Sequence, residues 1–367
     1  MKILYFSRDY TTHDHRFLSA LTKAGEKVYY ITLERRGHVL EDRALPGEVE
    51  IVSWAGGKKP ARLVDGPMLL LDLKHLLRKI RPDILHAGPL QTVGFLSALS
   101  GFQPFVSMSW GYDLLIDAER SASWRWSTRY TLNHSAAMVG DCETIRQRAA
   151  SYGMAPERIV TFPWGVDLEK YHPGNRQDAG DKHFTLLSTR SWEPVYGVDV
   201  LVRGFLQAAQ SCPKLHLVLL GNGSQAPLLR KMIAEGGAAE KVTFAGQISQ
   251  KDLPRYYRSA DLYVSASHSD GTSISLLEAM ACGTPVLVSD IPGNKEWVTP
   301  GVEGWLFPDG DSRALAGAII SAFERREQLV QMSEAARNLA ERRADWEKNF
   351  PELLRAYDIA RSHIRNR

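Results

Sequence analysis

Short apolar runs rich in β-branched and aromatic residues alternate along the chain with longer segments of helical spacing. Each run is long enough for one buried strand, and runs with intervening helices are typical of a parallel sheet covered by helices. The predicted strands are residues 3–6, 28–33, 51–54, 84–87, 105–108, 137–140, 159–162, 184–187, 215–220, 242–244, 262–265, 285–288 and 305–307. Helical spacing is predicted, for example, from Phe17, Leu18 and Leu21 and from Met68, Leu71, Leu76 and Ile80.

A polar stretch divides these elements into two series. Residues 171–182 contain one proline and two glycines among charged and polar residues, so they can neither pack into a core nor continue a helix. We therefore predict two doubly wound α/β domains, residues 1–170 and 171–348, a division that suits a chain of 367 residues. After a break at Asn349-Phe350-Pro351, residues 349–367 are predicted to form a helix that packs back on the first domain.

Composition excludes several classes of protein. Hydrophobic residues at 44% and charged residues at 24% are ordinary for a globular fold, and a net charge of +3 does not argue for nucleic-acid binding. Three cysteines without zinc-like spacing indicate reduced thiols. The apolar N-terminal run is too short for a signal peptide and no run is long enough to span a membrane, so we expect a cytoplasmic protein.

No glycine-rich phosphate-binding loop follows the first predicted strand. It is followed by residues 7–12, which contain no glycine, so a dinucleotide site is not expected there. Gly221-Asn222-Gly223 follows another predicted strand, and a tight turn or a phosphate contact explains it equally well. Ligands of open α/β sheets bind at the carboxyl ends of the strands, so polar residues at those ends are the candidates for a site.

The most informative stretch is residues 265–286, which predicts a strand, a polar turn and a buried helix that ends at Gly283. Gly271, Thr272 and Ser273 would supply free N–H groups and hydroxyls at the start of this helix, an arrangement that favours an anion. Glu278 lies on the same helix and needs a polar partner. That partner is either a ligand or a neighbouring loop.

Arg190 lies just after a predicted strand of the second domain rather than on a helix face. A guanidinium there suits a diphosphate, to which it donates with permanent charge and paired N–H groups. The alternative is a surface ion pair with Glu193. A cation, a helix N-terminus and the two acids Asp270 and Glu278 at one sheet edge together indicate a nucleotide-sugar site.

Residues 267–286 resemble the acidic motif of retaining glycosyltransferase family 4, where two glutamates stand eight residues apart and the second belongs to a Leu-Glu-Ala-Met-Ala run. Here the run begins at Leu277-Glu278, and the first acid is Asp270. Further matches in the same order lie at residues 163–167, 190, 197–199, 220–223, 242–246 and 293–296. The resemblance implies the GT-B fold, with two Rossmann-like domains across a cleft. It also implies a UDP- or GDP-sugar donor, retention of anomeric configuration, and neither metal nor other cofactor.

The same resemblance implies roles for individual residues. Arg190 and the N–H groups at the start of the helix would stabilise the diphosphate, Asp270 would bind sugar hydroxyls, and Glu278 would bind the ribose. Backbone near Gly246 and Ile248 would hold the base. The expected catalytic residues are Arg190, Asp270 and Glu278, and the expected donor-binding residues are Tyr196, Gly221, Gly246, Ile248, Gly271, Thr272, Ser273, Ile274 and Glu278. The expected acceptor-side residues are Asp9, His13, Asp14, Arg16, Trp110 and Asp113.

The chain departs from the family pattern at three places. Tyr196 replaces a lysine, Trp110 replaces the histidine of a His-Gly-x-Asp motif, and residues 11–16 replace a glycine-rich loop. Two other hypotheses therefore stay open beside a hexosyltransferase acting on a glycan or lipid-linked acceptor. One is a nucleotide-sugar epimerase or hydrolase on the same fold, and the other is a non-catalytic partner subunit.

Two further motifs admit a simpler explanation. Asp309-Gly310-Asp311 matches the D-x-D of metal-dependent transferases, but its position before a predicted helix favours capping. The segment Trp124-Arg125-Trp126, with Arg129-Tyr130, mixes aromatic and basic residues on a predicted helix. It suits either ordinary packing or a peripheral membrane contact of the first domain near a lipid-linked acceptor.

Overall fold

The computed structural model describes residues 1–34, 41, 43–174 and 183–365. The chain forms two compact units, residues 1–162 with 350–367 and residues 163–349. Residues 163–174 belong to the second unit, where Val166 pairs with Asp345. Residues 175–182, in the polar stretch expected to separate the domains, lie outside the described residues.

The first unit is built on a parallel sheet, with strand order β3-β2-β1-β4-β5-β6-β7 among the residues described. Every strand is flanked by a parallel neighbour in register, for example Tyr5 of β1 opposite His86 of β4. The strands are β1 (Lys2–Ser7), β2 (Lys27–Thr32), β3 (Glu50–Ile51), β4 (Ile84–Gly88), β5 (Phe105–Met108), β6 (Ala137–Gly140) and β7 (Ile159–Thr161). The helices are α1 (Thr12–Lys23), α2 (Gly66–Ile80), α3 (Phe95–Ser100), α4 (Tyr112–Leu115), α5 (Ala122–His134) and α6 (Glu143–Ser151).

The predicted helix is present as α2, but its buried face includes only Leu76 of the residues whose spacing indicated it. Leu69, Leu73, Leu76 and Leu77 are buried, whereas Met68 and Leu71 point to solvent. Residues 68–71 are all apolar, so the sequence alone allows more than one apolar face for this helix. The face that packs is the one that continues from Leu69 at i+4, i+7 and i+8. The predicted strand 51–54 was also too long, because β3 ends at residue 51.

The second unit repeats this plan with a parallel sheet of order β10-β9-β8-β11-β12-β13 within the described part of the chain. The strands are β8 (Phe184–Ser188), β9 (Leu215–Leu220), β10 (Val242–Gly246), β11 (Leu262–Ser265), β12 (Val286–Ser289) and β13 (Gly304–Phe307). The helices are α7 (Val198–Ser211), α8 (Ala226–Glu235), α9 (Leu253–Ser259), α10 (Ile274–Ala281), α11 (Pro292–Lys295), α12 (Ser312–Glu324), α13 (Leu329–Arg343) and α14 (Trp346–Asn349). The strand order reverses direction between β8 and β11, which is the switch point of the sheet.

The last helix, α15 (Pro351–Arg365), belongs to the first unit. It packs near β5, β6 and β7, and a hydrogen bond of 2.7 Å joins the Tyr357 hydroxyl to Nδ1 of His86 on β4. The chain therefore passes from the second unit into the first at Phe350, and α15 packs against the sheet of the first unit. None of the helices in the described ranges is long and apolar enough to cross a membrane.

Candidate functional site

The carboxyl ends of β8 and β11 define the candidate site, because open α/β sheets bind ligands where their strand order reverses. Thr189 and Arg190 directly follow β8. Residues 266–273 follow β11 and lead into α10. The sheet topology thus brings together the two segments that the sequence singled out separately.

Arg190 is held by three side chains from the α10 end of the site. Its Nη1 donates to the Oγ atoms of Ser273 and Ser275 at 2.8 and 2.9 Å, and its Nη2 donates to Asp270 Oδ2 at 2.7 Å. The side chain is only 10% exposed, and its Nε is buried without a hydrogen-bond partner among the described residues. The guanidinium is therefore fixed in direction, and its Nε–H meets no acceptor among the described residues. The predicted alternative, an ion pair with Glu193, does not form, because Glu193 instead accepts from Ser224.

Tyr196 lies against the same guanidinium. The Arg190 carbon Cζ is 4.1 Å from the centre of the Tyr196 ring, which is cation–π geometry. Burial lowers the pKa of Arg190, but the charge of Asp270 and the neighbouring phenols more than offset this, so its pKa lies above the ordinary value. Arg190 therefore remains a cation at any physiological pH.

The N-terminus of α10 is adjacent to this arginine. Ser273 is the N-cap residue, and its Oγ accepts from the backbone N–H of Leu276 at 3.4 Å. Thr272 and Ser273 are buried. A helix N-terminus carries partial positive charge, so it adds to the field of Arg190 at this edge of the sheet.

Glu278 has a partner that the sequence did not predict. Its Oε2 accepts from the Tyr257 hydroxyl of α9 at 2.8 Å, and Tyr257 Oη lies 2.9 Å from Thr189 Oγ1. Because the phenol has one proton and gives it to the carboxylate, Thr189 donates to Tyr257. This chain of hydrogen bonds joins the carboxylate of α10 to the residue beside Arg190. No local sequence pattern singled out Tyr257, although a buried glutamate required a donor.

Close backbone contacts set the shape of the loops around the site. A side chain on Gly293 of α11 would begin 2.2 Å from the carbonyl oxygen of Gly271. At Gly197, φ is +56° and a Cβ would lie 2.1 Å from the carbonyl oxygen of Ala266. Only glycine allows these approaches without a shift of the backbone.

Other residues predicted to bind the donor also lie at this edge. The Gly221 N–H donates to the Gly246 carbonyl at 2.7 Å, and a Cβ on Gly221 would lie 2.9 Å from the Arg190 carbonyl. Ile248 is half-buried against the core that includes Leu277. The structure thus brings Gly221, Gly246 and Arg190 together, with Ile248 packed nearby.

The D-x-D motif does not form a cluster of metal ligands. Asp311 caps α12, accepting from the backbone N–H groups of Arg313 and Ala314 at 3.0 and 2.9 Å, so the predicted cap is confirmed. Oδ1 of Asp309 lies 2.6 Å from Nδ1 of His268. Across the described ranges, no group of three or more His, Cys, Asp or Glu residues could hold a metal ion.

The predicted acceptor-side residues follow β1 and β5 of the first unit. Asp113 is buried and accepts from the backbone of Leu90 and Trp110 and from Ser109, so it shapes the loop after β5. His13 on α1 contacts the Trp110 ring, with centroids 5.2 Å apart.

Three more of these residues lie in or before α1. Asp14 forms a capping box with Thr11, so its carboxylate also has a structural role. Asp9 accepts from the backbone N–H of Tyr10, and Arg16 lies on α1. The acceptor-side residues therefore lie at the start of α1 and in the loop after β5, and the contact between His13 and Trp110 joins the two segments.

Burial shifts the pKa of several of these groups. It raises the pKa of Asp14 to about 7 and that of Asp113 to about 6. Burial and the neighbouring Arg16 lower the pKa of His13 to about 3. His13 is therefore neutral at physiological pH and supplies no positive charge to a ligand.

Asp14→Asn is expected to reduce the pH dependence of stability. The pKa of Asp14 is about 7 in the folded chain against an ordinary value of 3.8, so the folded state holds the proton more tightly. The free energy of unfolding should then fall as pH rises from about 4 to about 7, by at most about 1.4 kcal/mol for each increase of one pH unit. Urea unfolding at pH 5 and pH 8 measures this, with Asp83→Asn, at an exposed carboxyl, as the control. Equal pH dependence in Asp14→Asn and the parent would contradict it.

Comparison with known proteins gives matches over both units. The family model described as Glycosyltransferase Family 4 matches residues 11–170, and that described as Glycosyl transferases group 1 matches residues 175–339. A D-inositol 3-phosphate glycosyltransferase from Geodermatophilus obscurus is 32% identical over 238 residues, which are 61% of this chain and 52% of that protein. The chain thus spans about half the length of the curated relatives that it matches.

Solved structures share the fold over nearly the whole chain. Anabaena HepE in complex with UDP-glucose has a TM-score of 0.79 at 19% identity, covering 98% of this chain and 99% of that one. Sucrose-phosphate synthase from Thermosynechococcus elongatus has a TM-score of 0.81 at 18% identity, covering 98% of each chain. Two family models that lie one after the other along the chain, two parallel-sheet units and these neighbours agree. The chain belongs to the GT-B glycosyltransferases of the group 1 and family 4 type.

Proposed function

We propose that the protein transfers a hexose from a UDP- or GDP-sugar to a hydroxyl of a glycan or lipid-linked acceptor, with retention of anomeric configuration. The observation that carries the proposal is the fixation of Arg190 by Asp270, Ser273 and Ser275 at the switch point of the second sheet. An always-charged fork beside a helix N-terminus is suited to a diphosphate.

In the proposed reaction the bond between the sugar C1 and the diphosphate oxygen breaks, and a bond from C1 to the acceptor oxygen forms on the same face. The acceptor hydroxyl gives its proton to the departing diphosphate oxygen. Negative charge therefore grows on the leaving group, and the main task of the protein is to stabilise it. Arg190 and the N–H groups at the start of α10 would do so.

Asp270 and Glu278 take different parts in this proposal. Asp270 would bind sugar hydroxyls with the carboxylate oxygen that Arg190 does not hold. Glu278 would bind the ribose. The hydrogen bonds from Thr189 to Tyr257 and from Tyr257 to Glu278 would hold the carboxylate in position. Support comes from the neighbour solved with UDP-glucose and from relatives named as inositol-phosphate glycosyltransferases.

The test is calorimetric titration of UDP-, GDP- and ADP-sugars, followed by turnover with and without glycan or lipid-linked acceptors. We expect binding of one donor, acceptor-dependent turnover, and a product whose anomeric configuration, determined by NMR, matches that of the donor. Consumption of the donor without acceptor would instead support an epimerase or hydrolase. Binding without any turnover would support a non-catalytic partner subunit.

Turnover is expected to persist in excess EDTA, because the charge opposite the diphosphate is supplied by Arg190 and the start of α10. The measurement is the initial rate of donor consumption after chelation, with and without added Mg²⁺ or Mn²⁺. Loss of activity on chelation that either ion restores would contradict metal independence, and Asp309 would then be the first ligand to test.

Tyr196→Phe is expected to keep donor affinity and turnover within about twofold, because the ring that stacks on Arg190 remains. Tyr196→Leu removes the ring and should weaken donor binding by about three- to tenfold, in line with a cation–π contact of about 0.5–2 kcal/mol. Titration of the preferred donor into both variants checks this. If Tyr196→Phe weakens binding as much as Tyr196→Leu, the hydroxyl itself binds the diphosphate.

A further inference from the structure

Tyr171 joins three parts of the second unit. It is 2% exposed, and its ring lies edge-on to that of Tyr257, with centroids 6.2 Å apart. Its hydroxyl donates to Oε1 of Gln250, in the loop after β10, at 3.1 Å. Its carbonyl oxygen accepts from Nη1 of Arg337 at 2.8 Å, and the same Nη1 donates to the Ala281 carbonyl at 2.6 Å. The residue therefore links α9, the loop after β10 and the C-terminal end of α10.

The turn that carries Tyr171 is closed by its own hydrogen bonds. Oδ1 of Asp167 accepts from the backbone N–H groups of Glu169 and Lys170 at 3.0 Å each. The Tyr171 N–H donates to the Asp167 carbonyl at 2.8 Å. Because both ends of the turn are bonded, the Tyr171 side chain is a fixed point against which the loop after β10 can be held.

Gln250 receives two donors on the same oxygen. Nζ of Lys170 also donates to its Oε1 at 3.1 Å, and it lies 4.8 Å from the centre of the Tyr171 ring. An ammonium can only donate, so the orientation of the Gln250 amide follows from chemistry. Within the described part of the chain, the side chains of residues 247–250 hydrogen-bond to a distant segment only here. β10 is an edge strand of the sheet described for this unit, so no further strand supports the loop on its outer side.

The loop after β10 lies beside the proposed donor site. The loops after β8, β9 and β10 meet through the backbone contacts of Gly221 described above. Tyr257, which donates to Glu278 at the proposed ribose site, also contacts the Tyr171 ring. A nucleotide with its diphosphate at Arg190 and its ribose at Glu278 therefore places its base toward the loop after β10.

We propose that Tyr171 and Gln250 are positioning residues for the nucleoside half of the donor, because they hold the loop that the base meets. The inference rests on the proposed function, since it requires a nucleoside diphosphate in this unit. Arg190 is held by other contacts, so loss of the tie should leave the diphosphate half and the chemical step unchanged. The effect should therefore appear in the KM for the donor rather than in kcat.

The test is calorimetric titration of UDP, UMP, GDP, GMP and inorganic pyrophosphate into the full chain, together with steady-state kinetics. Tyr171→Phe and Gln250→Leu should each weaken binding of the preferred nucleoside diphosphate and its monophosphate by about three- to tenfold, the effect of one lost hydrogen bond. The KM for the donor should rise by the same factor, while kcat and pyrophosphate binding stay within about twofold of the parent. Gln250→Glu keeps an oxygen that accepts from both donors, so it should bind nucleotides like the parent.

Tyr357→Phe is the matched control, because it removes the hydrogen bond of a buried tyrosine hydroxyl in the first unit. Circular dichroism melts should show a loss of stability similar to that of Tyr171→Phe, with nucleotide binding unchanged. Parent-like nucleotide affinity in Tyr171→Phe, equal losses in Gln250→Glu and Gln250→Leu, or a matching loss of pyrophosphate binding would overturn the inference and leave the proposed function standing. A parent that binds none of the nucleotides would overturn both.

Discussion

Replacing Arg190 by alanine is expected to lower kcat/KM for the nucleotide sugar by about 10²–10³-fold, the loss that follows removal of one well-placed donor to a developing anion. Arg190 is the residue on which Asp270, Ser273 and Ser275 converge, so its guanidinium is positioned before any ligand arrives. Steady-state kinetics with the preferred donor measure the loss in kcat/KM. Titration of the free nucleoside diphosphate measures how far the binding of the leaving group is weakened.

Two further variants separate charge from geometry at Arg190. Arg190→Lys keeps the charge but cannot bond two partners through a planar fork, so its kcat/KM should lie between those of the parent and the alanine variant. Arg203→Ala removes an exposed arginine that pairs with Asp199 on α7, and it should leave kinetics unchanged. If Arg190→Ala turns over donor as the parent does, Arg190 is structural and the proposed site fails.

Glu278→Gln is expected to weaken donor binding by about 10–100-fold, since a hydrogen bond to a charged group contributes about 1.5–3 kcal/mol. The free energy of unfolding should change less, because the glutamine carbonyl can still accept from the Tyr257 hydroxyl. Calorimetric titration gives the first quantity and urea unfolding gives the second. A variant that binds and turns over donor like the parent would show that the carboxylate has only a structural role.

Tyr257→Phe is the matched control for the Glu278→Gln variant. It removes one donor to Glu278 while leaving the acid itself in place, so the side chain of Glu278 would be less well oriented. We expect a smaller loss of affinity than for Glu278→Gln. A larger loss would indicate that Tyr257 itself contacts the donor.

The strand pattern was predictable because the strands of a buried parallel sheet are short continuous apolar runs. Every predicted strand is present, although β3 is shorter than expected. The face of α2 was not predictable, because four consecutive apolar residues at 68–71 satisfy more than one helical stripe. Only contact with the sheet decides which of them is buried.

The site was predictable in its parts but not in its connections. Arg190, Asp270 and Ser273 were each identified from their positions after strands or at a helix start. That Arg190 would bond Asp270 and the N-cap serine follows from the adjacency of β8 and β11, which sequence order does not reveal. Tyr257 was missed because its contact with Glu278 arises between two helices that pack in three dimensions.

The close approach of Gly293 to the Gly271 carbonyl restricts how the donor specificity of this protein can be redesigned. The loop after β11 carries the residues that would meet the sugar, so it is the natural segment to exchange with a relative. Its backbone, however, rests on a position of α11 more than twenty residues later that has no side chain. A grafted loop of different backbone path would leave a gap or a collision there. Residues 266–273 and residue 293 should therefore be exchanged together. A chimera that receives only the loop of a relative should not keep the backbone conformation that the loop has in that relative.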